Sequence, residues 1–252
     1  MHQKILEYAG ILDRAAQHAN AIAPFAQGAF DVPMAYEIQD ASMELRLRRG
    51  EKWVGVKMGF TSRAKMLQMG VEDLIYGQLT DQMQIMDGSE VSLNRFIQPR
   101  VEPELAFLLK APLHGSTSPA AALAAVEAIA PALEIVDSRY QDFKFNLPSV
   151  IADNTSASGF VIGPWCDPRQ SFENLGIVMS VDGLPRQFGS TAAVLGHPLR
   201  SLCHAARLAT NPLPPGSIIL SGGASAAESL SRGRYVQAEF QNLGTVGFHT
   251  AH

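Results

Sequence analysis

The sequence predicts an α+β protein: a small helical N-terminal region, residues 1–52, followed by a β-rich main domain with mixed sheets, residues 53–252. Three observations lead there. Long helix-favouring runs fill 3–23 and 33–49, and from Trp53 the texture changes to short β-type runs broken by Gly, Pro, Asp and Asn. Those runs do not alternate regularly with helices, which excludes a doubly wound sheet.

In the first helix Ile5, Leu6, Ile11 and Leu12 fall on one face, and Ile38, Met43, Leu45 and Leu47 run through the second. IAPFAQGAFDVP between them reads as a loop. The strand candidates are WVGVKMGF, VEPELAFLL, ALEIVDS, FVIG, GIVMSVDG, SIILSGG, YVQAEFQ and TVGFH, with a hairpin turn at VDGLP, 181–185. SPAAALAAVEAI, 118–129, reads as a helix because Ser118 can cap it and Pro119 suits the first helical position. HPLRSLCHAARLA, 197–209, reads as another.

A length of 252 residues suits one large domain or a main domain with an appendage, and 46% hydrophobic with 17% charged residues is globular composition. A net charge of −4 leaves no electrostatic footprint for nucleic acid. No run approaches a membrane span, and MHQKILEYAG lacks a signal-type start, so a cytoplasmic location is expected. Cys166 and Cys203 fit a reducing compartment as two buried thiols, although two cysteines also permit a disulfide.

The chemistry concentrates in RVEPELAFLL. Strand alternation puts residues 100, 102, 104, 106 and 108 on one face, so Glu102 and Glu104 point the same way as Ala106 and Leu108. Like charges on a partly apolar face are costly unless a cation offsets them. They are either a solvated edge pair with Arg100 as partner, or ligands. PALEIVDSRY supplies a third carboxylate, Glu134, and an all-oxygen set suits Mg²⁺ or Mn²⁺. No histidines have zinc-like spacing, and no phosphate-binding glycine loop is present. Spacing alone leaves both readings open.

VKMGFTSRAKM (56–66), VEPEL, LEIVDSRYQDFKF, ADNTSAS (152–158), LGHPL (195–199) and SIILSGG (217–223) stand in one order. In these motifs, over roughly residues 30–250, the chain resembles the 2-oxopent-4-enoate hydratase/4-oxalocrotonate decarboxylase family of the fumarylacetoacetate-hydrolase-like superfamily. The resemblance implies a fumarylacetoacetate-hydrolase-like main domain. It implies a divalent cation, Mg²⁺ or Mn²⁺, held by Glu102, Glu104 and Glu134 and chelated by a small 2-oxo acid. Lys57 matches the family's active-site lysine; without the resemblance it reads as a snorkelling edge lysine. Ser156 matches a serine near the ligand, and otherwise reads as a turn hydroxyl. Asp153 and Asn154 either brace that loop or touch substrate. His197 before Pro198 reads as a helix-start residue, and Gly222-Gly223 as a turn or a place for backbone amides to approach a ligand.

Within the family, three functions are weighed: a decarboxylase of 2-oxo-3-hexenedioate, a 2-hydroxypenta-2,4-dienoate hydratase, and a non-catalytic partner subunit of that hydratase. All belong to meta-cleavage catabolism of aromatic compounds. Family hydratases carry an aspartate just before an aromatic-glycine pair, eighteen residues after the lysine; here that position is Ile75, before Tyr76-Gly77. Isoleucine cannot act as a base, and an apolar wall favours loss of a carboxylate as CO₂, so Ile75 is taken as a substrate contact in a decarboxylase. Asp73 would share the Ile75 side of an extended segment and could substitute in part. Arg139 or Lys144 is the expected contact for a second substrate carboxylate. A homo-oligomer, and a complex with the pathway hydratase, are implied by the resemblance.

Overall fold

In the computed structural model the described residues are 2–62, 66 and 73–252. Residues 63–65 of the VKMGFTSRAKM run and 71–72 of VEDLIYGQLTD lie outside them. Two helices come first, α1 (His2–His18) and α2 (Val32–Arg48), the second capped by the Asp31 side chain and started by Pro33. The first helix stops at residue 18, earlier than its composition suggests. Ile22 leaves the helix to bridge Tyr140, its N–H donating to the Arg139 carbonyl at 2.8 Å.

Among the described residues the strands form two mixed sheets. The larger runs β2 (Ile75–Thr80), β1 (Trp53–Gly59), β10 (Ile218–Leu220), β5 (Arg100–Leu109), β6 (Val126–Val136), β7 (Ala157–Ile162) and β3 (Gln84–Ile85), with β11 (Glu228–Ser229) also on β5. The smaller runs β4 (Glu90–Val91), β13 (Gly244–Thr250), β12 (Tyr235–Phe240), β8 (Gly176–Val181) and β9 (Leu184–Ser190). The β8–β9 turn is the expected hairpin, with positive φ at Asp182 and Gly183. The α+β class with two N-terminal helices and mixed sheets is as the sequence predicts.

One expected helix, 118–129, is cut short. Only Pro119–Ala124 is helical (α3), and β6 begins at Val126. Pairing of β6 with β5 on one side and β7 on the other overrides the helix propensity of the alanine-rich run. Neither cysteine is disulfide-bonded and neither is fully buried, which corrects the expectation of two buried thiols.

The two faces of the large sheet differ in a way that places the site. Val101, Leu105, Phe107, Leu133 and Ile135 pack into the core shared with Met179, Val236 and Phe248 of the smaller sheet. The opposite face carries Glu102, Glu104 and Glu134 beside small residues, Ala106, Ala130 and Ala132, packed with Met43 of α2. A central proline marks where the strand order opens. Pro103 lies between the β10 pairing at Ala106 and the β11 pairing at Val101, and its carbonyl accepts from Ala224 N at 2.9 Å. Its missing N–H therefore falls where no neighbouring strand needs a donor.

Candidate active site

The three glutamates converge through register. Glu102 and Glu134 are directly opposed across β5 and β6, and Glu104 lies two residues along the same face. Each offers a carboxylate oxygen, all within 4.8 Å of one another, and all three residues are buried. The gap left by β10 gives them their surroundings. The chain turns there through Gly222, whose N–H donates to Glu104 Oε2 at 2.7 Å. A Cβ at Gly223 would run into the Glu102 carboxylate, so the glycine pair is shaped around the carboxylates.

Lys57 comes from β1, opposite Leu220, the last residue of β10. Its Nζ lies 3.0 Å from Glu134 Oε1 and donates to the Thr155 carbonyl at 3.1 Å. Burial opposes its charge, but Glu134, Glu104 and Glu102 together outweigh burial and hold the ammonium above its usual pKa. The edge-lysine reading is thereby excluded, since the side chain is only 4% exposed. Burial, then Glu134, pushes Glu104 well above the usual carboxylate range, and burial raises Glu134 against the opposing pull of Lys57. Among the described residues, the Lys57 ammonium is the cation paired with the triad. Among the described residues, Glu104 Oε1 and Glu134 Oε2 have no hydrogen-bond donor, and Glu134 Oε1 has only the ion pair with Lys57. Buried carboxylate oxygens without donors, converging at this spacing, fit a hard divalent cation.

The third wall is a left-handed turn. Asn154, Thr155 and Ser156 have φ of 50°, 52° and 60°, a conformation costing roughly 1–2 kcal/mol per residue in L-amino acids. The cost is offset by contacts to β2. The Asn154 side chain accepts from Gln78 N at 2.7 Å and donates to Gln78 O at 2.9 Å, while Thr155 Oγ1 donates to Tyr76 O at 2.7 Å. A Cβ at Gly77 would strike the Asn154 carbonyl, which explains the glycine after Tyr76. Gln39 of α2 clamps the same strand through donation to Tyr76 O at 3.0 Å and Ile151 O at 2.8 Å. The turn aims the Thr155 carbonyl at Lys57 and leaves the buried Ser156 Oγ without a partner.

Lys57, Glu102, Ile75, Ser156 and Thr155 line one cavity of about 310 Å³ together with Arg100, Val136, Phe143, Phe145 and Val150. Other expectations are corrected. Arg139 does not line it: its guanidinium is buried against Asp153, with further donation to Ser158 Oγ at 2.6 Å. Asp153 therefore braces this arginine, as Asn154 braces β2. Lys144 is exposed and paired with Asp142 at 3.2 Å. Asp73 lies outside the strand, paired with Arg207 at 2.6 Å. His197 caps the helix Pro198–Leu208, its Nδ1 accepting from Leu199 N at 3.2 Å. Sequence reasoning missed Phe143 and Phe145, because Asp142 and Phe143 take positive φ in a loop no pattern foretells. It read Arg100 only as a partner for exposed glutamates, although its place on the ligand face was legible.

Glu104→Gln should weaken Mg²⁺ binding by roughly tenfold or more, since one lost charge-assisted contact is worth on the order of 1.5–3 kcal/mol. Calorimetric titration measures this. In EDTA the variant should be no less stable than wild type, because it removes a buried charge. Unchanged Mg²⁺ affinity would exclude Glu104 as a ligand.

Residues 52–249 match the family described as Fumarylacetoacetate (FAA) hydrolase C-terminal. A 4-oxalocrotonate decarboxylase of a Pseudomonas species is 51% identical over 98% of this chain and 98% of its own length. A solved structure of 4-oxalocrotonate decarboxylase from Pseudomonas putida G7, complexed with magnesium and adipate, superposes with TM-score 0.96 at 35% identity, covering 99% of this chain and 98% of that one. A 2-hydroxyhexa-2,4-dienoate hydratase of Comamonas testosteroni is 35% identical over 93% of the chain and 92% of the hydratase. With its buried glutamate triad and its two mixed sheets, the chain belongs to the fumarylacetoacetate hydrolase family.

Proposed function

We propose that the protein catalyses metal-dependent decarboxylation of 2-oxo-3-hexenedioate (4-oxalocrotonate) to 2-hydroxypenta-2,4-dienoate and CO₂, a step of meta-cleavage aromatic catabolism. The observation that carries this reading is Ile75 in the wall of a cavity that also exposes Glu102 and Lys57. The higher identity to a decarboxylase than to a hydratase supports it.

Glu102, Glu104 and Glu134 would hold a divalent cation, Mg²⁺ or Mn²⁺, which would supply a Lewis acid to polarise the substrate's 2-oxo group. Lys57, fixed between Glu134 and the Thr155 carbonyl, sets a positive charge beside the C2 oxygen as negative charge develops there. The Ser156 hydroxyl, free of protein partners, donates to the bound 2-oxo acid. Ile75, Val136, Val150 and Phe145 exclude water from the departing C6 carboxylate and so favour neutral CO₂ over the charged group. The C5–C6 bond breaks, and its electron pair moves to C5 and through the C3–C4 double bond to the C2 oxygen. Protonation there gives the dienol. No covalent intermediate on Lys57 is needed.

Hydration would require a base for water near the diene. Among the described residues the only carboxylate lining the cavity is Glu102, a metal-ligand candidate, and Asp73 is turned to Arg207. A non-catalytic partner subunit would have no need of a buried triad and lysine kept together at this cost.

Wild-type protein with Mg²⁺ should release CO₂ from 2-oxo-3-hexenedioate and hydrate 2-hydroxypenta-2,4-dienoate little or not at all. Ile75→Asp should impair decarboxylation, and Lys57→Met should lower kcat by roughly 100-fold or more, much more than it alters metal affinity, as expected for a charge felt in the transition state. Efficient hydration without CO₂ release would overturn the reading.

The dienol product is unstable, which favours handing it directly to the hydratase that consumes it. Support comes from the likeness to hydratases and from β9, an edge strand that leaves Leu184 and Phe188 exposed. A homo-oligomer alone and a mixed complex on co-expression should be visible in analytical ultracentrifugation. A monomer under both conditions would contradict association.

A further inference from the structure

A six-carbon 2-oxo dicarboxylate carries a second charge that the metal end of the cavity does not address. The two cations the sequence offered for it, Arg139 and Lys144, are committed to Asp153 and Asp142 and lie off the cavity wall. Arg100 does line the cavity. It stands on β5 two residues before Glu102, on the same face, so its Cα is about 6.7 Å from that of Glu102 at the usual strand rise. An extended six-carbon diacid has a comparable span.

The Arg100 guanidinium sits over the Phe143 ring, 4.1 Å from its centroid. Stacking fixes the plane of the guanidinium while leaving its edge N–H donors available. Among the described residues no carboxylate forms an ion pair with it, and Phe143 itself lines the cavity.

We infer that Arg100, stacked on Phe143 at the mouth of the cavity, recognises the distal carboxylate and makes the site selective for 2-oxo dicarboxylates over 2-oxo monocarboxylates. This rests on the decarboxylase reading for its substrate but not for its test. Arg100 is exposed, so solvent screens its hold on the carboxylate. The contact recruits and selects without locking the charge in place.

The test compares binding of 2-oxohexanedioate, a saturated diacid, with 2-oxohexanoate, its monoacid counterpart, by calorimetry on Mg²⁺-loaded wild type, Arg100→Met and Arg100→Lys. Arg100→Met should weaken the diacid roughly tenfold, the loss of one charge-assisted contact, and leave the monoacid within about twofold. Arg100→Lys should recover part of the loss, since lysine keeps the charge without the planar fork. Equal weakening of both ligands in both variants, or no change in either, would overturn the assignment. CO₂ release by wild type is scored separately: its absence would remove the decarboxylase reading, whereas the diacid-to-monoacid ratio alone decides the role of Arg100.

Discussion

Three carboxylates buried within reach of one another are the constraint on which the rest of the structure depends. Removing one ionised carboxylate from water costs several kcal/mol even after relaxation, and neighbouring like charges add to that. The protein answers with a lysine from a different strand, a backbone N–H from Gly222, and space for a divalent cation. Each answer has a structural requirement. Lys57 approaches because β10 ends at Leu220; Gly222 approaches because the pairing on β5 is interrupted beside Pro103; Gly223 must lack a side chain beside Glu102. Alanines on the same face keep the surrounding sheet shallow.

The left-handed turn at Asn154, Thr155 and Ser156 is the second expense of the site. Three consecutive residues in that region, one of them β-branched, persist only where contacts over-determine them. Here β2 provides those contacts, and β2 is itself held by Gln39 of α2. Helix α2 thus reaches the active site through a chain of hydrogen bonds: the Tyr76 carbonyl accepts from Gln39 and from Thr155 Oγ1, and the Thr155 carbonyl accepts from Lys57. It packs Met43 against the alanines of the glutamate face and also fixes the strand that fixes the lysine.

Much of this was legible in the sequence for local reasons. Period-two alternation puts Glu102 and Glu104 on one face, Ser118 and Pro119 mark the start of α3, and Asp182-Gly183 marks a hairpin. Other features depend on long-range pairing that no single stretch encodes. That Glu134 opposes Glu102 is a matter of register between β5 and β6. That residues after Ala124 are strand reflects the neighbours of β6 rather than their own propensity. Arg139 and Arg100 illustrate the same limit. Both are arginines near carboxylates in sequence, but only the folded loop shows that Arg139 turns inward to Asp153 while Arg100 stays at the cavity mouth.

If burial of the triad is stable because a cation completes it, then metal and folding are linked. The direct measurement is the free energy of unfolding of the wild-type chain, from urea titration, across a range of free Mg²⁺ from EDTA to saturation. Stability should climb with the logarithm of Mg²⁺ once the dissociation constant is passed, by about 2.7 kcal/mol at one hundred times that constant. A stability identical in EDTA and in saturating Mg²⁺ or Mn²⁺ would contradict the account, leaving the three glutamates as a buried cluster that binds no metal.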